Sequence, residues 1–168
     1  MEAPGRCRVR DFPRGNRHPV GEKRRHAALY WNKHQKTKEV FRGDWFNTGD
    51  QFYQDDEGYF WYQGRRNDMF KTGGMWVSPV EVEGVLLDHS LVSAAAMTGA
   101  PDESGLEKPM AFVVLKNGEE SSDLKKELTA LVRDRIAHYK APHWIRFVNE
   151  LPRTATGKIR RYQLKASI

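Results

Sequence analysis

The sequence predicts an α+β fold: a small sheet of about three strands with helices packed on it, filling residues 67–168 and preceded by a β-hairpin segment. Three observations predict it. Apolar runs at 92–97, 110–115 and 144–148 have the length of buried strands and are separated by turn signals. Leu124, Leu128, Leu131, Val132 and Ile136 share one helical face, so residues from Ser121 or Ser122 to His138 read as an amphipathic helix stopped before Pro142. Finally, Ser78-Pro79-Val80-Glu81 is a helix start, with Ser78 at the cap, Pro79 at the first helical position and Glu81 completing a capping box.

The remaining elements follow in chain order. Residues 1–26 are rich in Arg, Pro and Gly, show no period of 2 or 3.6, and read as an irregular or disordered basic tail. Their arginines suit a transit peptide, but the absence of Ser and Thr and the presence of Glu2, Asp11 and Glu22 argue against one. From Ala27 the texture becomes more apolar: a helical turn is predicted at 37–41, ending at Arg42-Gly43-Asp44, and 46–50 is a turn cluster. Gln51-Phe52-Tyr53 and Tyr59-Phe60-Trp61-Tyr62 flank Asp55-Asp56-Glu57-Gly58, a β-hairpin signal. A polar turn follows, then a strand broken by Gly73-Gly74, and then the capped helix, about 79–89, with Val82, Val85 and Leu86 on its apolar side. Residues 98–101 read as a turn, Asn117-Gly118 closes the second strand, 151–158 is a loop and 159–165 a short basic helix.

Composition narrows the function classes. A chain of 168 residues with 39% hydrophobic content can build one ordinary domain with an extra segment. No run approaches the roughly 18 apolar residues of a membrane span, and the N-terminus has no apolar signal core. Cys7 is the sole cysteine, which suits a reducing compartment; the expected location is cytoplasmic. The net charge of +6 suggests nucleic acid until it is mapped: the first 26 residues hold eight basic and three acidic side chains, leaving 20 against 19 elsewhere. No nucleic-acid partner and no membrane partner are therefore expected. Residues 133–165 remain locally basic, with nine Lys and Arg against Asp134 and Glu150, and could face phosphates. A solvated charged face is the plainer reading of such a cluster.

Common catalytic motifs fail on spacing. Gly157-Lys158 is not a phosphate-binding P-loop, because that motif needs Gly at 152 and Ser or Thr at 159, where Pro152 and Ile159 stand. None of the six histidines makes a His-x-x-x-His or His-Glu-x-x-His spacing, so no metal site is expected. There is no Gly-x-Ser-x-Gly elbow.

What remains is an ordered series: Gly43-Asp44-Trp45-Phe46-Asn47-Thr48-Gly49-Asp50; Gly58-Tyr59 and Gly64-Arg65-Arg66-Asn67-Asp68; Lys71-Thr72-Gly73-Gly74 with Ser78-Pro79-Val80-Glu81-Val82-Glu83; and Leu151-Pro152-Arg153-Thr154-Ala155-Thr156-Gly157-Lys158-Ile159-Arg160-Arg161. Over about 27–165 it resembles the adenylate-forming (AMP-binding) acyl-CoA synthetases, most closely the benzoate-type aryl-CoA ligases. The resemblance implies that 67–168 is the C-terminal lid domain and that 27–66 is the end of the N-terminal adenylation domain. It implies an AMP-forming acid–thiol ligase that makes an acyl-adenylate from a carboxylic acid and MgATP and then passes the acyl group to CoA. ATP, Mg2+ and CoA are thus implied for the full-length enzyme. The residues that select the acid belong to the family's larger N-terminal domain, so the isolated chain is expected to be inactive without that partner.

The same resemblance assigns roles. Lys158 matches the catalytic lysine, whose ammonium would orient the carboxylate and the α-phosphate and stabilise the charge between them. Asp50 matches the aspartate that holds the ribose hydroxyls, and Arg65 a nucleotide-contacting arginine. Asn67 falls at the hinge, where the family has Asp or Lys. Gly73 and Gly74 match the loop beside the pantetheine arm of CoA. Their plainer readings are a turn-forming Asp, surface cations and a tight hairpin turn. Local basicity alone offers Lys140 and Arg146 as contacts for CoA phosphates. Two rivals stand beside this reading: a stand-alone nucleotide- or CoA-binding module without catalysis, and a basic nucleic-acid-binding protein, which the near-neutral body opposes.

Overall fold

The computed structural model describes residues 20–22, 29–42, 45–117 and 120–168, and these divide into two compact units, one through Arg66 and the other from Asn67 onward. In the first, β1 (Val20–Glu22) and β2 (Phe41–Arg42) pair antiparallel on either side of β3 (Trp45–Asn47). Two expectations are corrected here. Val20–Glu22 lies in the stretch read as irregular yet forms a strand, because backbone pairing with β3 overrides a local pattern that favours none. Trp45–Asn47 intrudes on the expected turn cluster for the same reason, leaving Thr48 and Gly49 to turn. The helical turn is α1 (His34–Val40); Gly43 and Asp44 lie outside the described residues, as does most of the 1–26 tail.

The expected hairpin is present as β4 (Asp50–Gln54) and β5 (Phe60–Arg65), antiparallel from Asp50↔Arg65 to Gln54↔Phe60. Its turn is built by Asp55, which accepts hydrogen bonds from Tyr59 N at 2.8 Å and from the Trp61 indole Nε1 at 2.7 Å. The Trp61 N–H foremost, with backbone N–H groups of the turn, holds the Asp55 carboxyl below the usual carboxylate range.

The second unit begins with the hairpin β6 (Phe70–Thr72) and β7 (Met75–Val77), joined by Gly73 and Gly74 at φ 56° and 82°. Both angles lie where glycine alone is unstrained, and two such residues make the turn whose twist suits a two-residue hairpin. Helix α2 (Pro79–Leu87) starts as its sequence dictates: Ser78 Oγ accepts from Glu81 N and Pro79 takes the first turn. Strand β8 (Val92–Pro101) pairs antiparallel with β9 (Glu107–Leu115); α3 (Ser122–Arg135), capped by Ser121, and a short 3₁₀ turn (His138–Lys140) lead to β10 (Trp144–Phe147), parallel to β9; α4 (Arg161–Ala166) closes the chain. The sheet order is β10-β9-β8, the small three-stranded sheet expected from sequence.

The turn expected at 98–101 is instead strand, paired through Gly99↔Pro109 and Pro101↔Glu107. Gly99 is needed for space rather than for turning: a Cβ there would lie 3.0 Å from Phe70 Cγ, so the absent side chain lets β6 pack on the strand. The turn sits one step later, where Asp102 Oδ1 accepts from Ser104 N and Leu106 N.

Period-two alternation gives the sheet two apolar faces. Ala95, Met97, Ala111, Val113, Ile145 and Phe147 face Val82 and Leu86 of α2 and Leu124, Leu128 and Val132 of α3. Ala96, Met110 and Phe112 pack instead with Leu151 and with Leu164 of α4. Among the described residues no helix is long and apolar enough to cross a membrane.

Burial within α2 is sharply one-sided, with Leu86 fully buried and its neighbour Leu87 48% exposed. Leu86→Ala is therefore expected to lower the stability of the second unit by about 2–5 kcal/mol, and Leu87→Ala by less than about 0.5 kcal/mol, as measured by urea unfolding.

Candidate functional site

In the first unit, strand pairing sets Asp50 and Arg65 directly opposite each other. Arg65 Nε meets Asp50 Oδ1 at 2.7 Å, while Arg65 Nη1 donates to Thr48 O at 2.7 Å. The preceding turn is self-braced: Asn47 Oδ1 accepts from Gly49 N, Thr48 Oγ1 accepts from Asp50 N, and Arg66 N donates to Gly49 O. Gly49, at φ 72°, lets the chain double back beneath the guanidinium. The carboxylate is thereby oriented through one oxygen, and among the described residues nothing is hydrogen-bonded to Oδ2, which remains available as an acceptor.

In the second unit, Lys158 ends a loop that closes on itself. Arg153 and Ile159 form an isolated antiparallel bridge, and Thr154 N donates to Lys158 O at 2.8 Å. Thr154 Oγ1 accepts from Lys158 N at 3.1 Å, Gly157 turns at φ 81°, and Arg153 Nη1 donates to Gly157 O. Leu151 is buried at one end of the segment and Leu164 of α4 beyond the other. Lys158 itself is exposed, and its ammonium has no ion-pair partner among the described residues. Side chains that brace the loop are spent on holding it; that of Lys158, where the loop closes, is not.

Three residues beyond Lys158, Arg161 is engaged very differently. It reaches Asp68 Oδ2 from Nη1 at 3.0 Å and both Glu83 oxygens from Nη2 at 2.8 Å. Glu83 Oε1 also accepts from Met97 N at 2.7 Å. Only 16% of the Arg161 side chain and 11% of the Glu83 side chain are exposed. Sequence reasoning placed Arg161, Asp68 and Glu83 inside the matching blocks and gave none of them a role of its own. A signal was available: Glu83 lies on the same stripe of α2 as Pro79, Val82 and Leu86, and a carboxylate on a buried stripe requires a cationic partner.

The other expected positions are distributed as follows. Asn67 lies in the turn 66–68, without the left-handed backbone that only Asn32 adopts among the described non-glycine residues. Gly73 and Gly74 sit at the tip of the β6–β7 hairpin, where an added Cβ would meet nothing within 4 Å, so their turn explains them and the space above them is open. Lys140 is already neutralised by Glu81, at 2.6 and 2.7 Å, which weakens its standing as a phosphate contact. Arg146 donates to Ser167 O and lies over the Phe112 ring. Among the described residues no group of three or more His, Cys, Asp and Glu side chains gathers to hold a metal ion.

Comparison with known proteins points to one family. Residues 81–158 match the AMP-binding enzyme C-terminal domain. The matched span lies wholly within the second unit. It is 47% identical to the benzoate–CoA ligase of Thauera aromatica across 84% of this chain and 27% of that protein. It is 43% identical to an acetyl-coenzyme A synthetase of Bacillus subtilis across 81% of this chain and 24% of that one. The solved structure of the anthranilate CoA ligase AuaEII in complex with anthranoyl-AMP superposes with a TM-score of 0.85 at 44% identity, covering 91% of this chain and 30% of that chain. The chain thus spans about a quarter to a third of the relatives it matches.

The AMP-binding C-terminal domain match runs from Glu81, in the first turn of α2, to Lys158, and leaves Asp68, 13 residues before it, and Arg161, three residues after it, outside its ends. Arg161 thereby joins segments flanking the matched span. The contrast between the two cations is measurable: Glu83→Ala strands a buried guanidinium and should cost about 3 kcal/mol or more in urea unfolding, whereas Lys158→Ala, at an exposed position, should shift stability by less than about 0.5 kcal/mol.

Proposed function

We propose that this chain supplies the lid of an acyl-CoA ligase that acts on an aromatic carboxylic acid, with Lys158 as its catalytic residue. In the first half-reaction a carboxylate oxygen attacks the α-phosphorus of ATP, a P–O bond forms, and the bond to the bridging oxygen breaks to release pyrophosphate. Two anions must approach each other, and negative charge concentrates between them. An ammonium placed at that point offsets the repulsion and orients both groups. Lys158 is suited to the task because it is exposed, carries no competing ion pair among the described residues, and stands on a loop whose backbone is already fixed. That combination is the observation that carries the proposal.

The remaining assignments follow the same reading. Asp50, oriented by Arg65, has an acceptor oxygen to offer to ribose hydroxyls. Asn67 serves as the hinge, a role supported by the division of the chain between Arg66 and Asn67. In the second half-reaction the CoA thiol attacks the acyl carbon and AMP leaves, with the Gly73-Gly74 turn beside the pantetheine arm. The ATP and acid sites reside on a larger adenylation domain, and magnesium enters with the nucleotide, so the chemistry of these residues involves no metal held by them. An aromatic acid is favoured by identity to the benzoate–CoA ligase, although the acetyl-CoA synthetase follows closely, in keeping with an acid chosen outside the lid.

The test is reconstitution. Mixed with the adenylation domain of a benzoate-type ligase, ATP and benzoate, this chain should stimulate pyrophosphate release, and Lys158→Ala should lower the stimulated rate by about 100-fold or more. Equal stimulation by the Lys158→Ala chain would overturn the assignment. Acyl-CoA formation by this chain alone would overturn the placement of the ATP and acid sites on another domain.

A further inference from the structure

We infer that Arg161 is a positioning residue for Lys158, holding the catalytic loop in fixed geometry relative to the junction at Asn67. The inference rests on the reading of Lys158 as catalytic, and its observations are separate from those that support that reading. Arg161 lies three residues after Lys158 and one turn before buried Leu164. Its guanidinium spans two carboxylates: Asp68, adjacent to Asn67, and Glu83, in the middle of α2. Glu83 is fixed in turn by Met97 N on β8. The segment that carries Lys158 is thus tied at one point to the first residue beyond the junction, to a core helix and to the sheet.

A lid that turns about Asn67 must deliver Lys158 to its target without loss of register. The loop's internal hydrogen bonds fix its shape but do nothing to fix its placement. Leu151 and Leu164 seat it through apolar contacts, which are non-directional. The clasp on Asp68 and Glu83 is directional, because a planar guanidinium with a fork of donors donates to carboxylates at set angles. It is also the link within this unit that runs straight from the junction to α4. A lysine keeps the charge at 161 but cannot engage both carboxylates in that geometry.

The experiment uses Arg161→Lys, with Asp68→Asn as the second variant, which leaves the Glu83 pair intact should the first fail to fold. Two measurements are made. In the chain alone, amide hydrogen exchange should quicken at Thr154, Gly157 and Lys158 while Val113 and Val132 keep their protection. In the reconstituted mixture, kcat for pyrophosphate release should fall about tenfold or more, with the KM for ATP unchanged within about twofold. A double variant combining Arg161→Lys with Lys158→Ala should be no slower than Lys158→Ala, because the arginine acts only through the lysine. Unchanged loop exchange in a folded variant overturns the inference, as does unchanged turnover in a mixture that Lys158→Ala does slow. A double variant markedly slower than Lys158→Ala also overturns it, since Arg161 would then act by another route. If Lys158→Ala leaves turnover intact, the catalytic reading itself fails, an outcome the Arg161 variants cannot mimic.

Discussion

The second unit depends on a cation that is almost out of water. Transferring a guanidinium and two carboxylates from solvent to a protein interior costs several kcal/mol per ion, and only close, well-directed pairing recovers it. Arg161 recovers part of that cost through one bond to Asp68 and a pair to Glu83. Each partner belongs to a different segment, so the pairing is satisfied only when the start of the unit, α2 and α4 have all reached their places. Apolar packing alone would tolerate small slips of α4, which buries one residue, Leu164. The charge cluster does not.

Around that constraint the chemistry is divided by exposure. Arg153 and Arg161 lie within five residues of Lys158 and are both engaged, the first with its own loop and the second with the core. Lys140 is likewise satisfied by Glu81. A basic C-terminal stretch that looks uniform as a string of letters therefore divides into cations engaged by the fold, Lys140, Arg153 and Arg161 among them, and cations left available, Lys158 among them. This is why net charge over 133–165 says little about ligand binding.

Much of the fold was legible because its signals are local. The Asp55–Gly58 turn, the Ser78-Pro79 start and the apolar face of α3 each rest on chemistry within a few residues, and each appears in the structure. The misreadings share the opposite character. Gly99 looked like a turn because glycine usually marks one, yet its reason is Phe70, 29 positions away in sequence. Val20–Glu22 is strand by virtue of β3, which no local pattern announces. The site divides in the same way. Lys158 was reached through its surrounding block, and its exposure is that of any surface lysine. The Arg161 cluster was missed because a charged letter reads as solvent-facing unless the stripe it sits on is examined.

Glu83 carries one more implication, through the bond it accepts from Met97 N. In the order β10-β9-β8, strand β8 is the outer member, and the Met97 N–H points away from the ladder it shares with β9. An outer strand of ten residues leaves backbone donors and acceptors on which a second chain can zip unless they are covered or engaged. Here its midpoint donor is already taken, and by a charged group that no incoming strand displaces cheaply. The carboxylate that anchors the arginine thus also guards the rim of the sheet, so that a single side chain serves both the internal alignment of this unit and its resistance to intermolecular β-pairing.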